Sequence, residues 1–190
     1  MQQNNFTLSI LTWYNKQKRI LPFRDIDDPY KIWLSEVMLQ QTQIETVIPY
    51  FQKWVNKYPT ITSVAAAEQE LLLKLWEGLG YYSRCRNFHK ATKIVVEKYS
   101  GVIPDKWSEF RAMPGVGDYT AAAVLSIAYN QPHIAIDGNV KRVMARILGL
   151  KNLSNRNMTR MKNYLTKNIL TDNPGDFNQS MMELGARICS

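Results

Sequence analysis

Two carboxylates in unlike settings are where this sequence most clearly offers chemistry. Glu36 stands in the stretch Ile32-Trp33-Leu34-Ser35-Glu36-Val37-Met38-Leu39-Gln40. On a helix, its neighbours three and four residues away are Ile32, Trp33, Leu39 and Gln40, so the carboxyl projects among mostly apolar groups. Desolvation disfavours the ionised form and raises the pKa, which suits a general acid near neutral pH. A buried Glu satisfied by a neighbouring side chain fits the same pattern. Asp137 precedes Gly138-Asn139 and a basic segment with Lys141 and Arg142. Helix N-terminal amides and nearby cations would keep it ionised, and an ordinary N-cap would read the same way in sequence. As a pair, the two match the division of labour that cleaves a glycosidic bond. A carboxylic acid protonates the leaving group, and a carboxylate steadies an oxocarbenium-like centre.

The run Met113-Pro114-Gly115-Val116-Gly117-Asp118-Tyr119-Thr120-Ala121 offers a different chemistry. It predicts a glycine hairpin between two helices, the second rich in alanine. Backbone amides of Gly115, Val116 and Gly117, backed by the positive end of the following helix, form an anion site. Main-chain contacts of this kind read no base, so they hold a duplex without specifying its sequence. The pattern is helix-hairpin-helix. Gly78-Leu79-Gly80 repeats the glycine spacing and reads as a tight corner between helices.

The elements that must position these groups are helical nearly throughout. Phe6, Ile10, Leu11, Trp13 and Tyr14 predict a first amphipathic helix that Pro22 ends. Asp28-Pro29 opens a second, with Trp33, Val37, Ile44, Val47 and Ile48 on one side and Pro49 near its close. A third is expected from Ser63, as N-cap, to Gly78, and a fourth from Ser83 to Tyr99. A short fifth over Lys106 to Ala112 leads into the hairpin, and the alanine-rich helix runs from Tyr119 to Tyr129. Three more follow: one from Asp137 to Gly149, one over Asn155 to Leu170, and one from Asp176 to the end. No window alternates at period two. The fold class is therefore all-α with short connections.

Composition narrows the function classes. A chain of 190 residues with 45% hydrophobic and 21% charged residues is neither disordered nor fibrous. No apolar run reaches the ~20 residues that cross a bilayer, and two cysteines do not make a secreted disulfide scaffold. A soluble, cytoplasmic protein is expected, with no membrane partner. The net charge is +8. Gly138 to Thr171 holds eight basic residues (Lys141, Arg142, Arg146, Lys151, Arg156, Arg160, Lys162, Lys167) and no acid, so this segment carries the whole excess. Concentrated cationic charge suits a polyanion through counterion release, and a solvated helix face is the alternative.

Taken together, Leu21-Pro22-Phe23-Arg24, the run Trp33 to Thr46, Trp76 to Lys90, the hairpin, Asp137-Gly138-Asn139-Val140-Lys141-Arg142-Val143 and Phe177-Asn178-Gln179 resemble the helix-hairpin-helix base-excision DNA glycosylases. Within them they resemble the MutY-type adenine glycosylases of the endonuclease III-like group. The resemblance implies two helical domains, residues 28–134 with the hairpin and residues 1–27 plus 135–190, with the active site in the groove between them. It implies excision of adenine mispaired with 8-oxoguanine or guanine in double-stranded DNA, by a monomer acting in base excision repair. Glu36 resembles the acid that protonates adenine at N7, and Asp137 the carboxylate that stabilises the sugar cation. Gln41 and Tyr82 match positions that wedge into the base stack. Leu21, Phe23, Arg24, Gln179 and Met182 match positions around the flipped adenine, and Asn139 belongs to the matching Asp-Gly-Asn run. Gly115, Val116, Gly117, Lys141 and Arg142 are expected on DNA phosphates. Tyr119 stands where bifunctional relatives carry a catalytic Lys; a phenol forms no Schiff base, so a monofunctional enzyme is expected.

The resemblance also implies a [4Fe–4S] cluster held by four cysteines. Cys189 matches the first of them and Cys85 matches none, so the expectation is that this chain does not hold the cluster. A shortened glycosylase with impaired activity, or a silent DNA-binding fragment, are the two outcomes this leaves.

Overall fold

The computed structural model describes residues 5–169 and 172–189. Among them are eleven α-helices and no strand: α1 (Asn5–Gln17), α2 (Pro29–Leu39), α3 (Ile44–Lys57), α4 (Ile61–Ala65), α5 (Gln69–Trp76), α6 (Ser83–Tyr99), α7 (Trp107–Arg111), α8 (Asp118–Tyr129), α9 (Gly138–Ile147), α10 (Asn155–Asn168) and α11 (Pro174–Arg187). Contacts divide the chain into a unit of residues 20–124 and a unit of residues 1–19 with 125–190, the second division falling inside α8. The boundaries drawn from sequence, 27/28 and 134/135, lie further along the chain.

Residues 20–124 are organised around aromatic side chains. Trp33, Trp54, Trp76, Phe88 and Phe110 are all at most 1% exposed. Trp33 meets Phe88 and Phe110 edge-on, at 4.9 and 5.1 Å between ring centroids, and Trp54 meets Trp76 at 5.7 Å. Edge-to-face pairs add to the burial term, which for each such side chain is already about 2–3 kcal/mol. Two of the buried polar tips are paired, Trp54 Nε1 donating to Tyr30 Oη at 3.0 Å and Tyr30 Oη to the Tyr58 carbonyl at 2.7 Å, while Trp33 Nε1 has no partner among the described residues. α2 starts where the sequence signals it, with Pro29 at its first position and Asp28 accepting from the Tyr30 amide at 3.0 Å.

Two helices differ from the sequence reading. The long second helix is broken at Gln40–Gln43, and α3 then runs through Pro49 to Lys57. The third helix is split into α4 and α5. Ser63 is not its N-cap; Thr60 is, in a reciprocal capping box with Ser63 at the third position.

In the other unit, α9 packs on α11 and α1 packs on α11. Their apolar stripes close a core of Ile10, Val140, Val143, Met144, Met161, Leu165, Ile169, Phe177 and Met181. The sharp division of α9 and α10 into apolar and cationic sides follows: Arg146, Arg156, Arg160, Lys162 and Lys167 are exposed while the residues above are buried. None of the described helices is long and apolar enough to cross a membrane.

Candidate active site

Glu36 lies two turns into α2 and is 8% exposed, as its apolar neighbours require. Its carboxylate accepts a hydrogen bond from the hydroxyl of Tyr119 at 2.9 Å. Tyr119 is the second residue of α8, so the hairpin that starts α8 also sets this phenol. One turn beyond Glu36, Gln40 Nε2 donates to Thr120 Oγ1 at 3.1 Å. Consecutive residues of α8 thus hold residues one turn apart on α2, fixing the rotation of α2 as well as its distance.

The hairpin itself is closed by the Val116 amide donating to the Met113 carbonyl at 3.1 Å. Gly115 has φ +77°, and a Cβ there would lie 2.8 Å from Asn87 Cβ, so both conformation and space demand glycine. Gly117 meets neither demand, since nothing lies within 4 Å of a Cβ built on it. Arg111 braces the turn, donating to the Val116 carbonyl at 2.7 Å and pairing with Asp118 at 2.6 Å. Val116 buries its side chain, while Gly115 and Gly117 are exposed. A cavity of about 170 Å³ beside the hairpin is lined by Gly115, Pro114, Asn87, Gln40, Trp33 and Arg84.

Of the residues expected around the target base, Leu21 and Phe23 are buried, and Phe23 stands edge-on to Phe51 at 5.3 Å. Arg24 is half-buried. Gln41 is exposed in the turn between α2 and α3, with φ +55°. Tyr82 is 38% exposed, but its neighbour Tyr81 is 59% exposed and has φ +46°. Tyr81 was not singled out in the sequence, because two adjacent tyrosines give no signal as to which projects.

In the other unit, Asp137 is the N-cap of α9. Its two oxygens accept from the Val140 amide at 2.7 Å and from Asn139 Nδ2 at 2.8 Å. Asn139 is itself oriented by Arg142, whose Nη2 donates to Asn139 Oδ1 at 2.8 Å. The same guanidinium donates to the Gly185 carbonyl at 2.7 Å and to the Cys189 carbonyl, so Arg142 ties α9 to the end of α11. These bonds lie within the chain, and the Arg142 side chain stays half-exposed. Lys141 beside it is half-exposed. Gln179 and Met182 are half-buried on α11, Met182 against the apolar core. Asn178, next to Gln179, donates to Ser126 Oγ and to the His133 carbonyl, each at 2.8 Å, and accepts from the Ala135 amide at 3.1 Å. It thereby secures the strand of chain that leads into Asp137.

The family cluster finds no ligand set here. Cys189 is half-buried against the apolar core. Cys85 is fully buried in the aromatic core of residues 20–124, where desolvation pushes its thiol up to about 12. Among the described residues no three His, Cys, Asp or Glu side chains stand as a group that could hold a metal ion. One thiolate does not ligate a [4Fe–4S] cluster, so no step below is routed through one.

Residues 34–167 match the family model described as "HhH-GPD superfamily base excision DNA repair protein". An adenine DNA glycosylase of Buchnera aphidicola subsp. Baizongia pistaciae is 39% identical over 189 residues, covering 97% of this chain and 53% of the relative. The Homo sapiens adenine DNA glycosylase is 42% identical over 196 residues, covering 97% of this chain and 36% of that one. The chain thus spans about half the length, or less, of these curated relatives. Among solved structures, a thermostable thymine-DNA glycosylase superposes with TM-score 0.88 at 27% identity, covering 97% of this chain and 86% of that one. A trapped endonuclease III–DNA covalent intermediate superposes with TM-score 0.77 at 23% identity, over 97% and 84%, a likeness of fold. With the hairpin, the buried Glu36 and the capping Asp137 all falling inside the matched span, the chain belongs to the HhH-GPD superfamily of base excision DNA repair proteins.

Proposed function

We propose that the chain is a monofunctional DNA glycosylase that removes adenine mispaired with 8-oxoguanine or guanine from double-stranded DNA. The observation that carries this reading is the buried carboxyl of Glu36 held by a phenol at the residue after the hairpin. The names of the curated relatives support adenine as the base.

In this reading Glu36, carrying a proton, donates it to N7 of a flipped adenine. The C1′–N9 bond breaks, and its electron pair leaves with the base, which departs neutral. Asp137, fixed in place by the Val140 amide of α9, offsets the positive charge that develops on the sugar. Water adds to C1′, its proton returns to a carboxylate, and an abasic site remains. Tyr119 offers no amine, so no Schiff base forms and the strand stays intact. The hairpin amides of Gly115 and Gly117, with Lys141, hold the backbone without reading sequence, while the Val116 amide is taken up by the Met113 carbonyl.

The test is incubation with a duplex carrying adenine opposite 8-oxoguanine, followed by alkali. Alkali-dependent strand breaks at the adenine are expected. Breaks without alkali would refute the monofunctional assignment, and binding without any break would leave a DNA-binding protein that lacks this activity.

A further inference from the structure

Arg84, the second residue of α6, is 9% exposed and faces no acid: all six of its acceptors are neutral oxygens. Nη1 donates to the carbonyls of Val37 at 3.0 Å and Met38 at 2.8 Å, and to that of Gln40. Nη2 donates to the carbonyls of Leu79 at 3.1 Å and Gly80 at 3.2 Å, and to Thr42 Oγ1 at 3.2 Å. The guanidinium lies over the rings of Trp76 at 5.4 Å and Tyr81 at 5.6 Å. A planar fork can span this many acceptors, whereas an ammonium is a point charge with three donors and cannot. The carbonyl end of α2 favours a cation, which accounts for the charge being tolerated there.

Two of the acceptors, Val37 and Met38, lie in the last turn of α2, and the other four lie in two turns, Gln40–Thr42 and Leu79–Tyr81. Each turn holds one non-glycine residue in the left-handed region, Gln41 at φ +55° and Tyr81 at φ +46°. Such backbone persists only where its surroundings over-determine it. Both side chains are exposed, so nothing they bury explains the strain. Each turn has a local bond of its own, Thr42 Oγ1 to the Gln40 carbonyl at 3.3 Å and Trp76 Nε1 to the Gly80 carbonyl at 3.1 Å, and the Arg84 side chain bonds to both.

We infer that Arg84 is a positioning residue that locks the Gln41 turn and the Tyr81 turn together, so that these two exposed side chains enter the duplex as one rigid wedge. This rests on the glycosylase reading above. Extruding a base costs a few kcal/mol of stacking and pairing, and a prong that gives way under that load transmits none of it to the duplex. Two strained turns joined through one buried guanidinium cannot relax separately.

The experiment replaces the target adenine with 2-aminopurine opposite guanine and follows its fluorescence at saturating protein. It compares wild type with Arg84→Met and with Phe110→Leu, a core variant used as a control for lost stability. Arg84→Met is expected to bind the duplex within about threefold of wild type while losing roughly five- to tenfold of the fluorescence rise. Its excision of adenine is expected to fall about tenfold more on a mispaired duplex than opposite an abasic gap, where less stacking resists extrusion. Phe110→Leu should keep the full rise. Should Arg84→Met fail to fold, Arg84→Lys, which keeps the charge without the fork, carries the same comparison. A wild-type rise in the Arg84 variant, or an equal loss in Phe110→Leu, overturns the inference. A wild-type protein that brightens 2-aminopurine yet excises nothing defeats the glycosylase reading and leaves the positioning role standing.

Discussion

The hydroxyl of Tyr119 donates to the carboxylate of Glu36 at 2.9 Å, across 83 residues of sequence. This contact ties the start of α8, which follows the hairpin, to Glu36 on α2, so a shift of the hairpin is felt at that carboxyl. Tyr119→Phe removes the donor and keeps the ring. A hydrogen bond to a charged or buried group is worth about 1–3 kcal/mol, so single-turnover excision should slow by roughly five- to a hundredfold. DNA affinity should be unchanged, because the phenol does not reach the backbone in this reading. Glu36→Gln, by contrast, should abolish excision; an active Glu36→Gln would remove Glu36 from its role.

Asp137 caps α9, and the catalytic task proposed for it can be separated from that one. As N-cap of α9 it accepts from the Val140 amide, and as an anion it is assigned to the sugar cation. Asn and Ser cap nearly as well as Asp, whereas Ala forfeits about 1 kcal/mol. Asp137→Asn and Asp137→Ser should therefore melt close to wild type and excise nothing measurable, while Asp137→Ala should lose both stability and activity. An Asp137→Asn variant with normal turnover would reduce Asp137 to a cap.

How far these features were readable in advance depends on how local their causes are. Asp137 and α9 were legible because the cap, the glycine and the first turn are neighbours in sequence. The same holds for α6 from Ser83 to Tyr99 and for the hairpin, whose glycine at 115 is required by its own φ. The break at Gln40–Gln43 was not legible. The carbonyls it exposes are satisfied by Arg84, more than forty residues away, and periodicity alone carries the apolar stripe through the gap. Pro49 misled for a related reason, since a proline inside an amphipathic stretch reads as an end, yet α3 packs well enough to continue past it. The bonds of Arg142 to the carbonyls at the end of α11 were not legible either, because its partners lie more than forty residues away.

The two hairpin glycines should respond differently to the same substitution. Gly115→Ala places a methyl group against Asn87 and forces a left-handed φ on a residue with a Cβ, which costs about 1–2 kcal/mol for the backbone alone. Gly117→Ala meets no atom within 4 Å. Thermal melts should show a clear loss for the first and less than about 0.5 kcal/mol for the second, as for ordinary surface substitutions. Equal losses would mean that the hairpin is held by something other than the Gly115–Asn87 contact.

His89 gives the fold an acid limit. It is 2% exposed on α6, and its Nε2 has no hydrogen-bond partner among the described residues. Burial, with Lys93 nearby, holds its pKa below the ordinary 6.5, against the opposing pull of backbone hydrogen bonds to Ala65 and Ala67. His133 is lowered as well, again by burial. Well above pH 6.5 both histidines are neutral whether the chain is folded or unfolded, and they cost nothing. Below it the unfolded chain takes up protons that the folded one refuses, so stability must decline as pH falls, levelling only beneath the folded pKa values. Denaturant midpoints measured from pH 7.5 down to about 5 should therefore fall, and His89→Gln should flatten part of that slope while leaving the smaller share due to His133. A His89→Gln variant with the wild-type slope would mean that His89 is protonated inside the fold, and the burial argument for its neutral state would be wrong.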